Sequence, residues 1–281
     1  MPASRRDRDF IARVWEEGAA HGRDDLPWRN LDDPYPVWLS EAMLQQTQVK
    51  RVLAYWRRFL AAFPAIDALA AASTSDVLEL WQGLGYNRRA LALKRTAEIC
   101  SERHAGTMPR GLDELMALPG IGPATAAGIR AFAFQLPGVY LETNVRAVVL
   151  HEYFPDCDKV PDREIAPILE RTCSEDDPRG WYYALLDWGA HLKSTGTNPS
   201  RRSAHYARQS AFEGSRRQKR AFIVREVLAQ PGIVCARVGE LLDGEERASG
   251  RPAVDPAEFA GIVEDLVSEG FFAREGDALR P

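Results

Sequence analysis

Along most of the chain, apolar residues recur at intervals of three and four positions, a spacing that places them on one face of an α-helix. Short turns that contain glycine or proline interrupt the pattern at 63–64, 83–85, 119–122 and 137–138. The pattern predicts helices over 10–20, 37–44, 49–63, 76–81, 88–103, 112–117, 124–134, 145–153, 163–172 and 181–192. The best strand-like piece is 139–141. We therefore predict an all-α fold for residues 1–212.

A polar stretch over 194–215 separates this domain from a second one. Beyond it, 217–230 and 256–269 have helical periodicity, and 238–242 suits a short helix between them. Residues 270–279 alternate around a Gly-Asp turn like a small hairpin. Three helices followed by a hairpin are typical of a winged-helix module, which we predict at 217–281.

The overall composition excludes several protein classes. The 281 residues are 45% hydrophobic and 27% charged, which excludes fibrous and disordered chains. No run of about 18 apolar residues occurs and the N-terminus lacks a leader pattern, so we expect a cytoplasmic protein without membrane contact. Four cysteines, at 100, 157, 173 and 235, are too scattered for a disulfide scaffold or a clustered metal site, and we expect reduced thiols.

Charge is unevenly distributed, although the net charge is only −4. From 188 to 225, nine cations accompany one acid, a local charge of +8, whereas 226–281 carries a charge of −7. The basic tract, about 193–225 and including Arg201 and Arg202, is predicted to be an arm that contacts nucleic acid. The acidic module is unsuited to that role, and we expect it to be structural or to bind a protein partner.

The string Leu-Pro-Gly-Ile-Gly-Pro-Ala-Thr-Ala at 118–126 joins two predicted helices. Gly120 and Gly122 allow backbone angles that other residues avoid, and Pro123 suits the first turn of the next helix. The unpaired N–H groups of such a turn favour an anion, and a phosphodiester fits. The string matches the helix-hairpin-helix motif of DNA-binding proteins, which contacts the backbone without reading its sequence.

With this hairpin, four further strings resemble one family: 26–29 (LPWR), 35–49 (YPVWLSEAMLQQTQV), 80–86 (LWQGLGY) and 144–146 (NVR). In that order they are similar to the helix-hairpin-helix DNA glycosylase superfamily that includes endonuclease III, and most similar to its adenine-removing branch. The resemblance covers about 25–192. It implies a two-lobed all-α fold, double-stranded DNA with a mismatch or lesion as partner, and hydrolysis of the bond between base and sugar.

Glu41 is the expected general acid. A neutral purine is a poor leaving group, so a positioned acid must supply a proton, and a carboxyl can do so near neutral pH only if its pKa is raised. The apolar neighbours Trp38, Leu39, Met43 and Leu44 favour such a shift. The resemblance assigns this role to Glu41.

Glu142 stands where the family has an aspartate that stabilises the cationic sugar, directly or through a transient covalent bond. Its extra methylene displaces the carboxylate by about an ångström, which can cost on the order of 10²-fold in rate unless the backbone compensates. We expect the backbone to compensate for the longer side chain of Glu142. Asn144 is expected to orient Glu142 or its water.

The resemblance also implies contacts to DNA and to the extrahelical base. Gln45, Gln46 and Thr47 would face the vacated stack and the opposite base. Tyr86 would wedge into the duplex, and Trp28 with Arg29 would line the base pocket. Tyr183 and Ala124 occupy pocket positions where relatives carry other residues. The full expected contact set is Trp28, Arg29, Leu44, Gln45, Gln46, Thr47, Tyr86, Gly120, Gly122, Tyr183, Arg201 and Arg202.

Three features depart from the family pattern. Lys193 replaces the first of four cysteines that hold a [4Fe–4S] cluster, and 174–234 contains no cysteine, so no cofactor is expected apart from a candidate monovalent cation at the Pro119–Gly122 turn. Ala124 replaces the lysine of bifunctional relatives, so no strand cleavage is expected. We expect the C-terminal module to be too small to serve as the large domain with which typical relatives check for 8-oxoguanine.

These departures leave three functions open. The first is a monomeric, monofunctional glycosylase that removes adenine opposite 8-oxoguanine or guanine. The second has the same fold but removes thymine or uracil opposite guanine. The third is a non-catalytic protein that binds lesions, in which Glu142 marks lost activity. Glu41 favours the first, because ring protonation matters most for purines.

Overall fold

The computed structural model describes residues 4–196, 198–207 and 211–281. Most of them are helical, as predicted. The helices are α1 Arg5–His21, α2 Pro34–Leu44, α3 Val49–Ala62, α4 Ile66–Ala71, α5 Thr74–Trp81, α6 Arg88–Arg103, α7 Leu112–Met116, α8 Pro123–Phe132, α9 Thr143–Tyr153, α10 Asp162–Thr172, α11 Pro178–Ser194, α12 Arg216–Ala229, α13 Cys235–Ala248 and α14 Pro256–Ser268. None of these helices combines the length and the apolar character needed to span a membrane.

The chain folds into two compact units, each made of two separate segments. Unit 1 contains Met1–Ala42 and Thr107–Arg208, and unit 2 contains Met43–Gly106 and Gln209–Pro281. The sequence predicted a single division near residue 212. Instead, the C-terminal module shares a unit with 43–106, because helix α12 packs against α5 and ion pairs join α6 to α14.

Unit 1 is built around α9, which is buried along most of its length by α11. Val145, Val149, Trp181 and Leu185 are fully buried where these two helices pack. Helix α1 covers α11, and its first turn is fixed by a capping box between Ser4 and Asp7. This packing makes the start of α9 a rigid position.

The strand predicted at 139–141 is wrong. Its backbone hydrogen bonds go to a side chain instead of a neighbouring strand. The Tyr182 hydroxyl accepts a bond from the backbone N–H of Tyr140 over 3.1 Å and donates one to the carbonyl oxygen of Gly138. The segment is therefore a buried connection between α8 and α9, anchored to α11.

In unit 2, α3, α5 and α6 pack around Trp56, Phe59, Trp81 and Leu93, all buried. Helix α4, which the sequence did not predict, is six residues long and buries Ile66 and Leu69 against α6. The burial of α4 depends on its contact with α6, which no local pattern in the sequence indicates.

The C-terminal module also belongs to unit 2. Helices α12, α13 and α14 enclose Ile223, Leu242 and Leu266, and a three-stranded antiparallel sheet adds Leu279. The strands are β1 Ile233–Val234, β2 Ala273–Glu275 and β3 Ala278–Arg280, in the order β1-β3-β2. The arrangement is the winged-helix-like one expected, although α13 is longer than the predicted 238–242.

Ion pairs inside unit 2 join cations of the basic tract to acids of the C-terminal module. The first turns of α12 are basic and lie against acidic α14: Arg216 pairs with Asp265, and Arg220 with Glu269. Lys219 contacts Glu258 over 2.7 Å. These three cations, predicted to be part of a DNA-contacting arm, are bonded to carboxylates. Much of the basic tract is therefore matched to the acidic tail.

Candidate functional site

The hairpin at 118–122 links α7 to α8 as expected. Gly120 has a φ of 72°, which a side chain would strain, whereas Gly122 precedes α8 with ordinary extended angles. A methyl group on Gly122 would meet no atom within 4 Å, so the space beside the helix start is open. Ile121 is buried and anchors the turn. The exposed N–H groups at the start of α8 are thus accessible to an anion.

Glu41 lies near the end of α2 and is half-buried in unit 1. Its Oε2 accepts a hydrogen bond from the Tyr140 hydroxyl over 3.2 Å. Burial raises the pKa of Glu41 to about 8, the bond from Tyr140 lowers it, and the negative charge of Glu142 raises it again. At neutral pH the carboxyl therefore keeps its proton.

Gly128 on α8 allows this packing. A methyl group there would lie 2.5 Å from Oε2 of Glu41 and 2.9 Å from the Tyr140 ring. Neither Gly128 nor Tyr140 was predicted from the sequence as a site residue. No local pattern marks them, because both are far from Glu41 along the chain. Gly128 lies just after the family string 118–126.

Glu142 is the N-cap residue of α9. One of its oxygens, Oε1, accepts hydrogen bonds from the backbone N–H groups of Asn144 over 2.5 Å and of Val145 over 3.0 Å. Burial raises the pKa of Glu142, while these bonds and the charge of Lys193 oppose the rise. The side chain is thus folded back onto its own helix, where the helix dipole favours a negative charge.

Asn144 contributes to this arrangement differently from expectation. Its backbone N–H, not its side chain, holds Glu142. The side-chain Oδ1 is buried and has no hydrogen-bond partner among the described residues. A buried acceptor without a partner is costly, so this atom is suited to a water or a ligand hydroxyl.

Gly189 on α11 lets the start of α9 approach closely. A methyl group there would collide with the Asn144 carbonyl and lie 2.8 Å from its Cβ. Lys193 follows one helical turn later on the same face, and its charge acts on Glu142. Burial lowers the pKa of Lys193, and Glu142 opposes that shift. Lys193, which stands in a cluster-cysteine position, is therefore a cationic neighbour of Glu142.

The cysteines present do not fit a [4Fe–4S] cluster. None of the four forms a disulfide; Cys157 and Cys173 lie in unit 1, and Cys100 and Cys235 lie in unit 2. Among the described residues, no group of three or more His, Cys, Asp or Glu side chains is placed to hold a metal ion. The chain thus lacks the thiolate set that such a cluster requires.

Arg29 and Asp187 form a buried salt bridge in unit 1. Two nitrogens of Arg29 donate to the two carboxylate oxygens over 2.7 and 2.6 Å, and Nε of Arg23 donates over 2.6 Å. Burial alone would raise the pKa of Asp187, but the two guanidinium groups lower it overall. The Arg29 guanidinium also lies 4.4 Å from the centre of the Tyr183 ring. Trp28, next to Arg29, is buried.

The expected contact residues from the strings 35–49 and 80–86 lie in unit 2. Leu44, Gln45, Gln46 and Thr47 lie in the turn between α2 and α3, and Tyr86 in the turn between α5 and α6. Gln46 and Tyr86 have positive φ angles of 57° and 51°, which are strained for residues with side chains. The structure brings these residues together, whereas Glu41, Glu142 and Asn144 belong to unit 1.

Arg89, which the sequence did not single out, joins the two turns. Its guanidinium donates to the carbonyl oxygens of Gln45 over 2.7 Å and of Gly85 over 2.9 Å. It also donates to Oγ1 of Thr47 over 3.1 Å. Arg89 therefore links the two strained turns.

Arg201 and Arg202 lie in a short 3₁₀ turn, Pro199–Arg202, in unit 1. Arg201 is exposed, while Arg202 is half-buried and its carbonyl oxygen accepts a bond from the backbone N–H of Val160. Arg208, another cation of the basic tract, lies outside the described residues.

Comparison with known proteins gives one family match. Residues 39–175 match the model of the HhH-GPD superfamily base excision DNA repair protein. The adenine DNA glycosylase of Buchnera aphidicola subsp. Baizongia pistaciae is 38% identical over 173 residues, covering 60% of this chain and 48% of that protein. The adenine DNA glycosylase of Mycobacterium tuberculosis H37Rv is 37% identical over 171 residues, covering 59% of this chain and 56% of that protein. The chain thus spans about half the length of these relatives.

Solved structures share the fold. A thermostable thymine-DNA glycosylase superposes with a TM-score of 0.58 at 21% identity, covering 66% of this chain and 86% of that one. A trapped endonuclease III–DNA covalent intermediate gives a TM-score of 0.57 at 18% identity, covering 68% and 88%. At these identities the likeness concerns the fold alone.

Proposed function

Because residues 39–175 match the model of the HhH-GPD superfamily base excision DNA repair protein, we propose that this chain is a monofunctional DNA N-glycosylase of that superfamily. Its proposed substrate is double-stranded DNA with adenine opposite 8-oxoguanine or guanine. Removal of that adenine starts base-excision repair. The 37–38% identity to adenine DNA glycosylases supports the choice of base.

The proposed chemistry is hydrolysis of the bond between N9 of adenine and C1′ of the sugar. Glu41 donates a proton to the purine ring, and the electron pair of the breaking bond goes to the base. The sugar becomes cationic, and the carboxylate of Glu142 stabilises it. Water then adds its oxygen to C1′ and releases a proton. The products are free adenine and an abasic site.

One observation carries this proposal: two carboxyl groups in unit 1 have different environments. Glu41 is buried against Gly128 and Tyr140 with a pKa of about 8, and it is protonated at neutral pH. Glu142 is bonded to backbone N–H groups and lies near Lys193, which favours its charged form. Burial raises the pKa of both carboxyls, but backbone N–H donors and the charge of Lys193 oppose the rise at Glu142. This difference suits the two groups to act as a proton donor and as a charge-stabilising group in acid-assisted bond cleavage.

The buried Oδ1 of Asn144 is proposed to hold the attacking water. The atom is next to the backbone N–H that binds Glu142, and it has no partner among the described residues. The phosphate backbone is proposed to bind at the hairpin around Gly120 and Gly122. We propose that catalysis needs no iron–sulfur cluster, and that the Pro119–Gly122 turn takes a monovalent cation beside the phosphate.

The proposed enzyme does not cleave the strand. Ala124 has no amine with which to attack a sugar, and we assign Lys193 to stabilising the carboxylate of Glu142. Borohydride added during turnover should therefore trap no covalent enzyme–DNA adduct. A trapped adduct that disappears in Lys193→Gln would show a lyase instead.

The decisive experiment uses a panel of duplexes with A opposite 8-oxoguanine, A opposite G, T opposite G and U opposite G. Strand breaks are measured with and without alkali. Breaks only after alkali, in the two adenine duplexes and not with Glu41→Gln, are expected. Cleavage of only the T or U duplexes would show that the substrate base is thymine or uracil instead of adenine. Binding without cleavage of any duplex would show that the protein is not a glycosylase.

A further inference from the structure

Unit 2 contains a groove of about 730 Å³ between two parts of the chain that are distant in sequence. One wall consists of the strained turns that carry Gln46 and Tyr86. The other consists of α12 and α13 of the C-terminal module. Glu41 and Glu142, proposed to act on the excised nucleotide, line no part of it. The groove is therefore a separate site.

Amide side chains are concentrated in this groove. They come from both walls: Gln46, Gln48, Gln82, Asn87 and Gln218. Each amide both donates and accepts hydrogen bonds, as does the edge of a nucleobase. Gln46 and Gln48 are exposed. Such a lining suits a ligand with mixed donors and acceptors better than an apolar or purely ionic one.

Aromatic rings and guanidinium groups alternate at this groove. Arg217 of α12 lies 5.0 Å from the centre of the Tyr86 ring and 5.4 Å from that of Phe212, and all three side chains line the groove. Outside the groove lining, Arg89 lies 5.5 Å from the Tyr86 ring and 5.2 Å from that of the fully buried Trp81. Tyr86, Arg217 and Phe212 thus form a ladder of flat groups, and a base can stack on exposed Phe212 at its end.

Arg217 connects the two walls. It also donates a hydrogen bond to the Tyr86 hydroxyl over 2.6 Å. Its neighbours on α12, Arg216 and Arg220, pair with carboxylates of α14, but Arg217 turns toward the groove. Phe212, at the end of the ladder, is 44% exposed, although exposing a large aromatic ring to water is unfavourable.

The groove also has charges suited to a phosphate. Arg51, Arg217 and Arg225 line it. Two acids line it as well, Glu245 and Glu246, but Glu246 is bonded to Arg251 over 2.7 and 2.9 Å. The lining therefore combines flat rings, amides and cations, the three features that bind a nucleotide within a DNA strand.

We propose that this groove binds a second nucleotide of the DNA, distinct from the excised one, and that the C-terminal module supplies half of the site through Phe212, Arg217 and Gln218. The inference rests on the proposed function for the identity of the polymer. The base stacks on the ladder, its edge meets the amides, and its phosphate meets the arginines. The module thereby becomes part of the DNA-binding surface.

The test uses duplexes that carry fluorescent 2-aminopurine at one position at a time, on both strands around the target base. Binding of the full chain should change the fluorescence at one position other than the target. Phe212→Ala and Arg217→Gln should abolish that change and weaken binding about tenfold or more, as expected for a lost stacking contact. Arg237→Gln, which removes a charge from α13 outside the groove, is the matched control.

Two further readouts keep the result interpretable. Thermal melting shows whether each variant is folded, and Phe212→Ala, which removes an exposed ring, should melt like the wild type. The fluorescence assay needs no catalysis, so it tests the groove even if no duplex of the panel is cleaved. A response confined to the target position, or one that both variants retain, would overturn the proposal.

Discussion

Tyr140 donates its phenolic hydrogen to Oε2 of Glu41 over 3.2 Å, and this bond opposes the burial that raises the carboxyl pKa. The two residues meet beside Gly128 of α8, whose lack of a side chain leaves room for the contact. The backbone around Tyr140 is in turn held by Tyr182. The pH at which Glu41 loses its proton thus depends on a chain of contacts that reaches α11.

The first prediction concerns the pH dependence of base release. Because the pKa of Glu41 is about 8, the single-turnover rate should fall as the pH rises through that value. Glu41→Gln cannot transfer a proton, so its rate should be about 10²–10⁴-fold lower and without this alkaline limb. Rates between pH 6 and 9.5 check both points. An unchanged alkaline limb in the variant would assign the titration to another group.

The second prediction concerns Tyr140→Phe. Its hydroxyl lowers the pKa of Glu41, so removing it should move the alkaline limb to higher pH. A hydrogen bond worth roughly 1 kcal/mol corresponds to about 0.7 pH unit. The same pH series on the variant measures the displacement. A move to lower pH would mean that the bond does not act on Glu41 as described.

The third prediction separates the structural role of Glu142, as the N-cap residue of α9, from its proposed catalytic role. Glu142→Gln keeps an oxygen that accepts bonds from Asn144 and Val145, so the free energy of unfolding should change by no more than about 1 kcal/mol. Base release should become undetectable because the charge is lost. Urea unfolding and single-turnover assays give the two values. A variant that releases base at the wild-type rate would show that Glu142 takes no part in the chemistry.

The fourth prediction uses the hairpin. Gly122→Ala adds a methyl group that meets no protein atom within 4 Å, so stability should fall by less than about 1 kcal/mol. The methyl group would occupy the space of an approaching phosphate, and the Kd for duplex DNA should rise about tenfold. Gly120→Ala is the comparison, because its φ of 72° should make that variant less stable. Equal DNA affinity of Gly122→Ala and wild type would argue against phosphate binding here.

The fifth prediction concerns Asp187→Asn. This carboxylate is 3% exposed and bonded to two guanidinium groups, and its loss leaves buried Arg29 without its counter-charge. The free energy of unfolding should fall by about 3–5 kcal/mol. Glu240→Gln breaks the exposed pair with Arg237 and should cost less than about 1 kcal/mol. Similar losses in the two variants would show that burial does not strengthen the first pair.

Periodicity predicted the long helices because each buries one face. Helix α6 has the predicted bounds, and α3 differs by one residue. The same reasoning failed at 139–141, where the backbone bonds with the Tyr182 side chain, a partner that no local pattern indicates. Short α4 was missed because its burial depends on contact with α6, which lies later in the chain.

Within the site, the sequence indicated the residues but not what surrounds them. The apolar neighbours of Glu41 along α2 predicted a raised pKa. Gly128, Tyr140 and Lys193 could not be predicted as neighbours, since packing of distant segments brings them there. The basic tract misled in a different way: a count of charges does not reveal that Arg216 and Arg220 already have carboxylate partners on α14.

Those ion pairs have a consequence for selectivity. A phosphate that approaches Arg216 or Arg220 competes with Asp265 or Glu269 for the same guanidinium group. In the proposed DNA complex, undamaged DNA, which offers only its backbone charge, would therefore gain little at this face, because each new contact requires an existing one to break. The acidic helix would compete with non-specific nucleic acid for these arginines, and recognition would depend on sites where rings and amides also contribute.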